Sequence, residues 1–348
     1  MKKVVILGID NFSYKNIYQV ACLNNNHFQV CVFTNNVLKN SSKNLTSENI
    51  LFVLEKTFLK RIKQIYTFLN QNKVDIHHVE IYPGGRFSFI YLILAKLCKK
   101  KTIIVERGDM CSYPRMNKMT QISMRICYKY SDIVWYRESY KDLDVKEQLL
   151  SWGAKEIFFI PNAAPDINFI EENKSSQYLF LWANRLLKER KIKWFINSIN
   201  ILKSSKSIIL GVRNDNHVEN DDKYALENKS EYLNILEYQN PKEYYLKSKF
   251  FVFPSDVVFL NNALLEAMSY GLVPLISNVQ GARLIVDDGI SGFVFEHTED
   301  GLKKAMEDAL NLTDKEYAIM SKNAIKKVKE NFSLKVWSEK YLDMIERV

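Results

Sequence analysis

The sequence predicts an α/β protein built from two doubly wound parallel-sheet domains. Three observations carry that expectation. A chain of 348 residues has room for two domains of ordinary size. Short β-branched or aromatic runs alternate with helix-length stretches over most of its length. The stretch from Phe253 to Ser277 reads as buried strand, turn, helix, glycine stop and second buried strand, the unit that sets backbone N–H groups and one acid at the lip of a parallel sheet, where nucleotides bind.

Taken in order, Val4–Gly8 and Phe28–Phe33 are strand runs separated by a helix-length segment from about Lys15 to Leu23, which together make a βαβ unit. A second unit runs from the strand Asp75–Ile81 through the loop Tyr82–Arg86 into an amphipathic stretch ending at Leu97, then to the strand Thr102–Val105. A helix over about Lys118–Lys129, the strand Asp132–Tyr136, a helix ending at Trp152 and the strand Ile157–Ile160 complete the first half. The pattern breaks at Pro161–Asp166, and Glu171–Ser176 is polar without period, so the boundary falls there: residues 1–165 form one domain and 166–333 the other. The second series holds the strands Tyr178–Trp182, Ser207–Gly211 and Tyr232–Leu236, with helices at Ile192–Leu202 and Pro241–Lys247 ahead of the Phe253 unit. Helices near Asp300–Leu310, Asp314–Glu330 and Leu334–Val348 close the chain.

Composition excludes several classes. With 47% hydrophobic and 26% charged residues the chain is globular rather than disordered. Its longest N-terminal apolar run, Phe87–Ala95, is well short of the roughly 20 residues of a membrane span, and the start has no cleavable leader, so the expected location is cytoplasmic. Five cysteines form no close pair and no metal-ligand spacing, which argues against a disulfide framework and a zinc site. Charge is unevenly divided: residues 1–165 hold 24 Lys and Arg against 13 Asp and Glu, a net of +11, while residues 166–348 hold 25 against 27. The first half therefore suits an anionic partner, a lipid headgroup, a phosphate-bearing acceptor or nucleic acid, unless the face is merely solvated, and of these nucleic acid is not the expected partner. Lys96, Lys99, Lys100 and Lys101 at the end of an apolar helix mark a candidate for peripheral contact with anionic membrane.

Several residue sets can carry chemistry. Glu266 lies in the first two turns of the helix after Asn261 and Asn262, where an acid is also favoured simply by the helix dipole. The backbone N–H groups of Asn261, Asn262, Ala263 and Leu264 make an anion site that needs no side chain. After the strand ending at Trp182, Arg185, Arg190 and Lys191 are placed to clamp a diphosphate, although a charged loop explains them equally well.

The segment Phe253–Phe295, through Asn278-Val-Gln-Gly-Ala-Arg, resembles the donor half of glycosyltransferase family 4. The likeness extends over about residues 178–345 and more loosely over the first half through Ile160-Pro-Asn162. It implies a GT-B fold, two Rossmann-like domains facing a cleft, with a final helix at about 334–348 that packs back on the first domain. It also implies retaining transfer of a sugar from a nucleotide sugar to a saccharide or lipid-linked acceptor, in the setting of bacterial surface polysaccharide or lipopolysaccharide synthesis. No metal or other cofactor is expected, since the sequence offers no acidic pair suited to holding a metal at a diphosphate. Glu266 matches the second Glu of the family's E-x7-E motif, implied to hold the donor ribose; the position of the first Glu is Val258, with Asp256 two residues away. Arg185 matches the family's Gly-Arg-Leu arginine and Arg190 or Lys191 its lysine, implied to neutralise the diphosphate. Gly211 falls where the family has a glycine pair. On the acceptor side the resemblance points to Asp10, in the turn after the first strand, and to Arg107 in place of a family His; an Arg stays protonated, so it can bind phosphate but not act as a base. Arg86, after the Gly84-Gly85 turn that opens a helix, is a further anion-binding candidate on that side. Val258 and the missing glycines keep open a non-catalytic binding subunit; a GT-B nucleotide-sugar epimerase is a third reading, disfavoured by the absence of a convincing set of His and carboxylate residues.

Overall fold

The computed structural model describes residues 1–12, 17–37, 49–137, 144–164, 176–203, 206–213, 219–258 and 261–348. Lys15, most of Glu171–Ser176 and the side chains of Asp10 and Cys111 lie outside the described part. The chain divides into two compact units. Met1–Glu138, Val145–Ile160 and Ser338–Val348 belong to the first, and Pro161–Trp337 to the second.

The first unit runs β1 (Lys2–Phe12), α1 (Ile17–Asn25), β2 (Phe28–Val37), β3 (Ile50–Val53), α2 (Phe58–Gln71), β4 (Ile76–Ile81), α3 (Ser88–Leu97), β5 (Lys101–Glu106), the single turn α4 (Asp109–Ser112), α5 (Lys118–Tyr130), β6 (Ile133–Tyr136), α6 (Val145–Ser151) and β7 (Ile157–Phe159). β3 and α2 add to the expected series. The seven strands pair in parallel in the order β3-β2-β1-β4-β5-β6-β7. Strands covered by helices on both faces have no polar side to show, and Val4, Val5, Ile6 and Leu7 of β1 are accordingly fully buried. Each such side chain contributes about 1.5–3 kcal/mol of burial free energy.

The strand order reverses between β1 and β4, and the chain makes a close approach there. Gly8 has φ 84°, and a Cβ on it would stand 2.3 Å from the Tyr82 carbonyl oxygen, so only glycine lets the loop after β4 lie against β1. A fully buried polar set lies beneath: Tyr82 Oη donates to Gln19 Oε1 at 3.1 Å, and Gln19 Nε2 and Tyr341 Oη both donate to the Glu80 carboxylate. His78 Nε2 stands 3.4 Å from the same carboxylate. Buried polar groups persist only when partnered in this way.

The second unit runs β8 (Tyr178–Ala183), α7 (Ile192–Leu202), β9 (Ser207–Val212), α8 (Asn220–Glu227), β10 (Leu233–Glu237), α9 (Lys242–Leu246), β11 (Ser248–Phe253), α10 (Asn262–Ser269), β12 (Val273–Ser277), α11 (Ala282–Ile285), β13 (Phe293–Phe295), α12 (Glu299–Leu310) and α13 (Asp314–Asn331). Its six strands are also parallel, in the order β10-β9-β8-β11-β12-β13. Phe180, Trp182, Phe195, Ile209, Phe250, Val252 and Leu275 centre its core. The last helix, α14 (Leu334–Glu346), passes at Ser338 into the first unit, where Tyr341 packs 5.4 Å from the Trp135 ring.

Candidate functional site

In the second sheet the order reverses between β8 and β11. After β8 the chain turns toward β9, and after β11 it turns the other way, to β12. A crevice opens at the carboxyl ends of two strands whose connections diverge, and loops from both strands line it. Here these are the residues after Ala183 and after Phe253, which hold most of the donor-side candidates.

The loops are fastened to each other. Asn261 Nδ2 donates to Asn184 Oδ1 at 2.9 Å, while Asn261 Oδ1 caps α10 by accepting from Leu264 N at 3.1 Å. The cap takes the Leu264 N–H, so of the four expected groups those of Asn261, Asn262 and Ala263 are left without a hydrogen-bond partner among the described residues. The Asn262 side chain is itself held, its Oδ1 accepting from Asn162 Nδ2 at 3.0 Å. On the other flank Gly211 has φ 105° and a Cβ there would stand 3.0 Å from the Asn184 carbonyl, so a glycine brings β9 against the first loop.

The three cations separate by what they already do. Arg190 donates to Ser255 Oγ at 3.0 Å and to the Val257 carbonyl at 3.2 Å, and its guanidinium lies over the Phe253 ring, so it braces the loop after β11. Lys191 takes φ 57° just ahead of α7 and pairs with Asp256 Oδ2 at 2.9 Å. Arg185 is exposed and has no carboxylate partner among the described residues. It lines a cavity of about 290 Å³ with Asn184, Gly211, Arg213 and the exposed Tyr238. A larger hollow of about 720 Å³ beside the start of α7 is lined by Lys188, Lys191, Lys193 and Trp194, but there Lys193 faces Asp221 and Lys191 is committed to Asp256.

Asp256 also receives His297 Nε2 at 2.6 Å, and the His297 ring packs against Trp194. Its two carboxylate oxygens are thus occupied by Lys191 and His297, a triple drawn from positions 41 and 65 residues away that the sequence gives no reason to join. Val258, at the place of the absent first motif Glu, is fully buried and presents no surface to a ligand. Glu266 is half-buried. Tyr245 Oη donates to its Oε2 at 3.4 Å, and burial raises its carboxyl above the usual range against the lowering effect of that hydrogen bond. Tyr245 stacks on Tyr270 and is a site residue that the sequence did not single out. A carboxylate and free N–H groups at one helix start, with a cation on the facing loop, can hold a hydroxylated ring beside a phosphate.

The acceptor-side candidates sit at the carboxyl edge of the first sheet. Arg86 is exposed in the loop after β4, and Arg107 follows β5 with its guanidinium 4.4 Å from the Tyr82 ring centroid. Asp109 lies against Gly84, which brings the two loops together. Asp10 lies in β1. Sequence reasoning missed Glu106, which is fully buried: its Oε1 accepts from Gly108 N and Met110 N, both at 2.9 Å, and burial with the nearby Asp109 charge pushes its carboxyl up to about 7. Among the described residues no helix is long and apolar enough to cross a membrane.

Residues 164–327 match the family model described as Glycosyl transferases group 1. A galactosyltransferase of Escherichia coli, UDP-Gal:alpha-D-GlcNAc-diphosphoundecaprenol alpha-1,3-galactosyltransferase, is 26% identical over 318 residues, covering 82% of this chain and 80% of that protein. Among solved structures, sucrose-phosphate synthase from Thermosynechococcus elongatus aligns with TM-score 0.75 and 13% identity over 100% of this chain and 99% of its own. HepE from Anabaena in complex with UDP aligns with TM-score 0.76 and 11% identity over 100% of both chains. The architecture is therefore a GT-B fold, and the residues that match the family model fall in its second unit.

Proposed function

We propose that the protein is a retaining glycosyltransferase that moves a sugar from a nucleotide sugar to a saccharide or lipid-linked acceptor in bacterial surface polysaccharide or lipopolysaccharide assembly. The observation that carries the reading is the β8/β11 switch point, which sets Arg185, the free N–H groups of α10 and Glu266 around one crevice. Glu266 takes the donor ribose, Arg185 the diphosphate, and the Tyr238 cavity the base. The E. coli relative's activity makes UDP-galactose the first donor to try, and a polyprenyl-diphosphate-linked GlcNAc the first acceptor. Lys191, held by Asp256, adds positive charge toward the leaving diphosphate. Two cations neutralise the charge that develops there, so the reading requires no metal ion. Departure of the diphosphate leaves it to accept the acceptor hydroxyl proton, and the protein's main contribution is positioning. Arg86 and Arg107 are the acceptor-phosphate candidates in the first unit, and the location is cytoplasmic, at the inner face of the membrane.

Val258 supports a second reading, a nucleotide-binding subunit without transfer. Incubation with UDP-galactose and a lipid-linked GlcNAc diphosphate, followed by chromatography and NMR of the product, decides between them. The expected outcome is a new glycoside with the donor's anomeric configuration. Nucleotide binding without product from any nucleotide sugar and a crude acceptor extract establishes the second reading, and an isomerised free donor would establish an epimerase.

A further inference from the structure

The basic character of the first unit has a definite address, and it is not the Lys96–Lys101 run. Lys96 Nζ lies 2.5 Å from Asp132, Lys101 shares that carboxylate at 3.9 Å, and Lys100 donates to the Ile76 carbonyl at 2.8 Å, so most of the run is spent inside the unit. The neighbouring helices are different. α2, α3 and α5 pack side by side, α2 against α3 and α3 against α5. Phe58 of α2 meets Phe87 at the start of α3, and Phe89 N of α3 donates to Ser123 Oγ of α5.

These helices of 14, 10 and 13 residues contain no Asp or Glu between them, in a chain where acids are otherwise common, so the layer has no negative charge of its own. Their outward positions mix cations with large apolar side chains. On α2 these are Leu59, Lys60, Lys63 and Tyr66, with Leu59 78% exposed; on α5 they are Lys118, Met119, Ile122, Arg125 and Lys129. Lys60, Lys63, Lys118 and Lys129 have no carboxylate within ion-pairing distance among the described residues. The acids nearest in sequence are Glu55, Asp75 and Asp132, of which Asp75 is paired with Lys3 and Asp132 with Lys96. A solvated face has no use for exposed Leu59, Ile93, Leu97 and Ile122, and a protein-binding face has no reason to exclude acids altogether.

We infer that the α2–α3–α5 layer of the first unit docks on an anionic lipid bilayer, its cations meeting headgroup phosphates while Leu59, Ile93, Leu97 and Ile122 enter the boundary of the acyl region. The combination of acid-free basic charge and scattered apolar side chains on helices lying in one layer fits an interface that is charged outside and apolar a few ångströms deeper. The surface holds whatever sugar the protein transfers, because it uses none of the donor-site residues.

The test is co-sedimentation of the full chain with vesicles. Vesicles of phosphatidylcholine with about one-third phosphatidylglycerol should retain the protein at low salt, roughly 0.5 M NaCl should release it, and phosphatidylcholine alone should bind it poorly. Combined Lys60→Gln, Lys63→Gln and Lys129→Gln should lower partitioning about fivefold per charge, roughly a hundredfold together. Leu59→Ser with Ile122→Ser should lower it in high and low salt alike. A control set on the second unit, Lys304→Gln, Lys315→Gln and Lys322→Gln, should leave it unchanged. Equal binding to neutral vesicles, or equal loss in the two triple variants, overturns the assignment. So does a duplex oligonucleotide that strips the protein from the vesicles at matched phosphate concentration, which would make the face a nucleic-acid site.

Discussion

Arg185 and Glu266 test the donor site at the level of single side chains, because the two would touch different parts of one ligand. Arg185 is exposed and unpaired among the described residues, and Glu266 is half-buried with its carboxyl raised by burial. Arg185→Ala removes a charge-assisted contact worth about 1.5–3 kcal/mol, so affinity for UDP should fall about tenfold to over a hundredfold, while uridine should bind almost as before. Glu266→Gln should weaken uridine and UDP alike, since a ribose contact is common to both. Calorimetric titration reads both results, and an unchanged UDP affinity in folded Arg185→Ala protein would remove the donor-site assignment. These two residues could be picked out in the sequence as candidates because each stands at a fixed step from a strand end. The distinction among Arg185, Arg190 and Lys191 was not legible. It depends on Ser255, Val257 and Asp256, which the fold delivers from a distant strand end.

At the scale of elements, strand–turn–helix units could be read wherever apolar runs and helix starts are continuous in sequence, as from Phe253 to Ser277. Turns that owe their shape to a buried group could not. The turn after β5 is one of these: nothing in Glu106-Arg-Gly-Asp109 announces that Glu106 is fully buried and accepts two backbone N–H bonds. A titration follows. The Glu106 carboxyl stands at about 7 in the folded chain against 4.5 ordinarily, so the folded state binds more protons than the unfolded one between those values. Its contribution to stability is fully present below pH about 4.5 and is lost as the pH rises through about 7, a fall on the order of 3 kcal/mol. Glu106→Gln keeps an acceptor for Gly108 and Met110 but has no proton to lose, so its unfolding free energy should decline less from pH 5 to pH 8 than that of the parent chain. Equal slopes in denaturant titrations across that range would show that Glu106 is not held protonated.

For the molecule as a whole, two units each have their own sheet, core and switch point. The sequence, through its repeated βα series and its break near Pro161, predicts two domains, with a boundary at 165–166 that lies outside the described residues. What it could not show is how the chain's end is anchored, because the contact joins residues 261 apart: Tyr341 of α14 donates its hydroxyl to the buried Glu80 carboxylate, beside Gln19. Tyr341→Phe keeps the ring against Trp135 and removes the hydroxyl, which donates to Glu80 and accepts from Gln19 Nε2 at 3.4 Å, leaving a fully buried carboxylate short of one partner. Such a loss costs about 1–3 kcal/mol. Hydrogen exchange should therefore quicken in the β1, β4 and β6 amides of the variant, while the amides of β8 to β12 and the affinity for UDP stay as in the parent chain, because the second unit's core uses none of these groups. If exchange in β8 to β12 quickens by the same factor, the two units unfold as one and the C-terminal helix stabilises both; if no amide changes, the Tyr341–Glu80 bond contributes nothing to the fold.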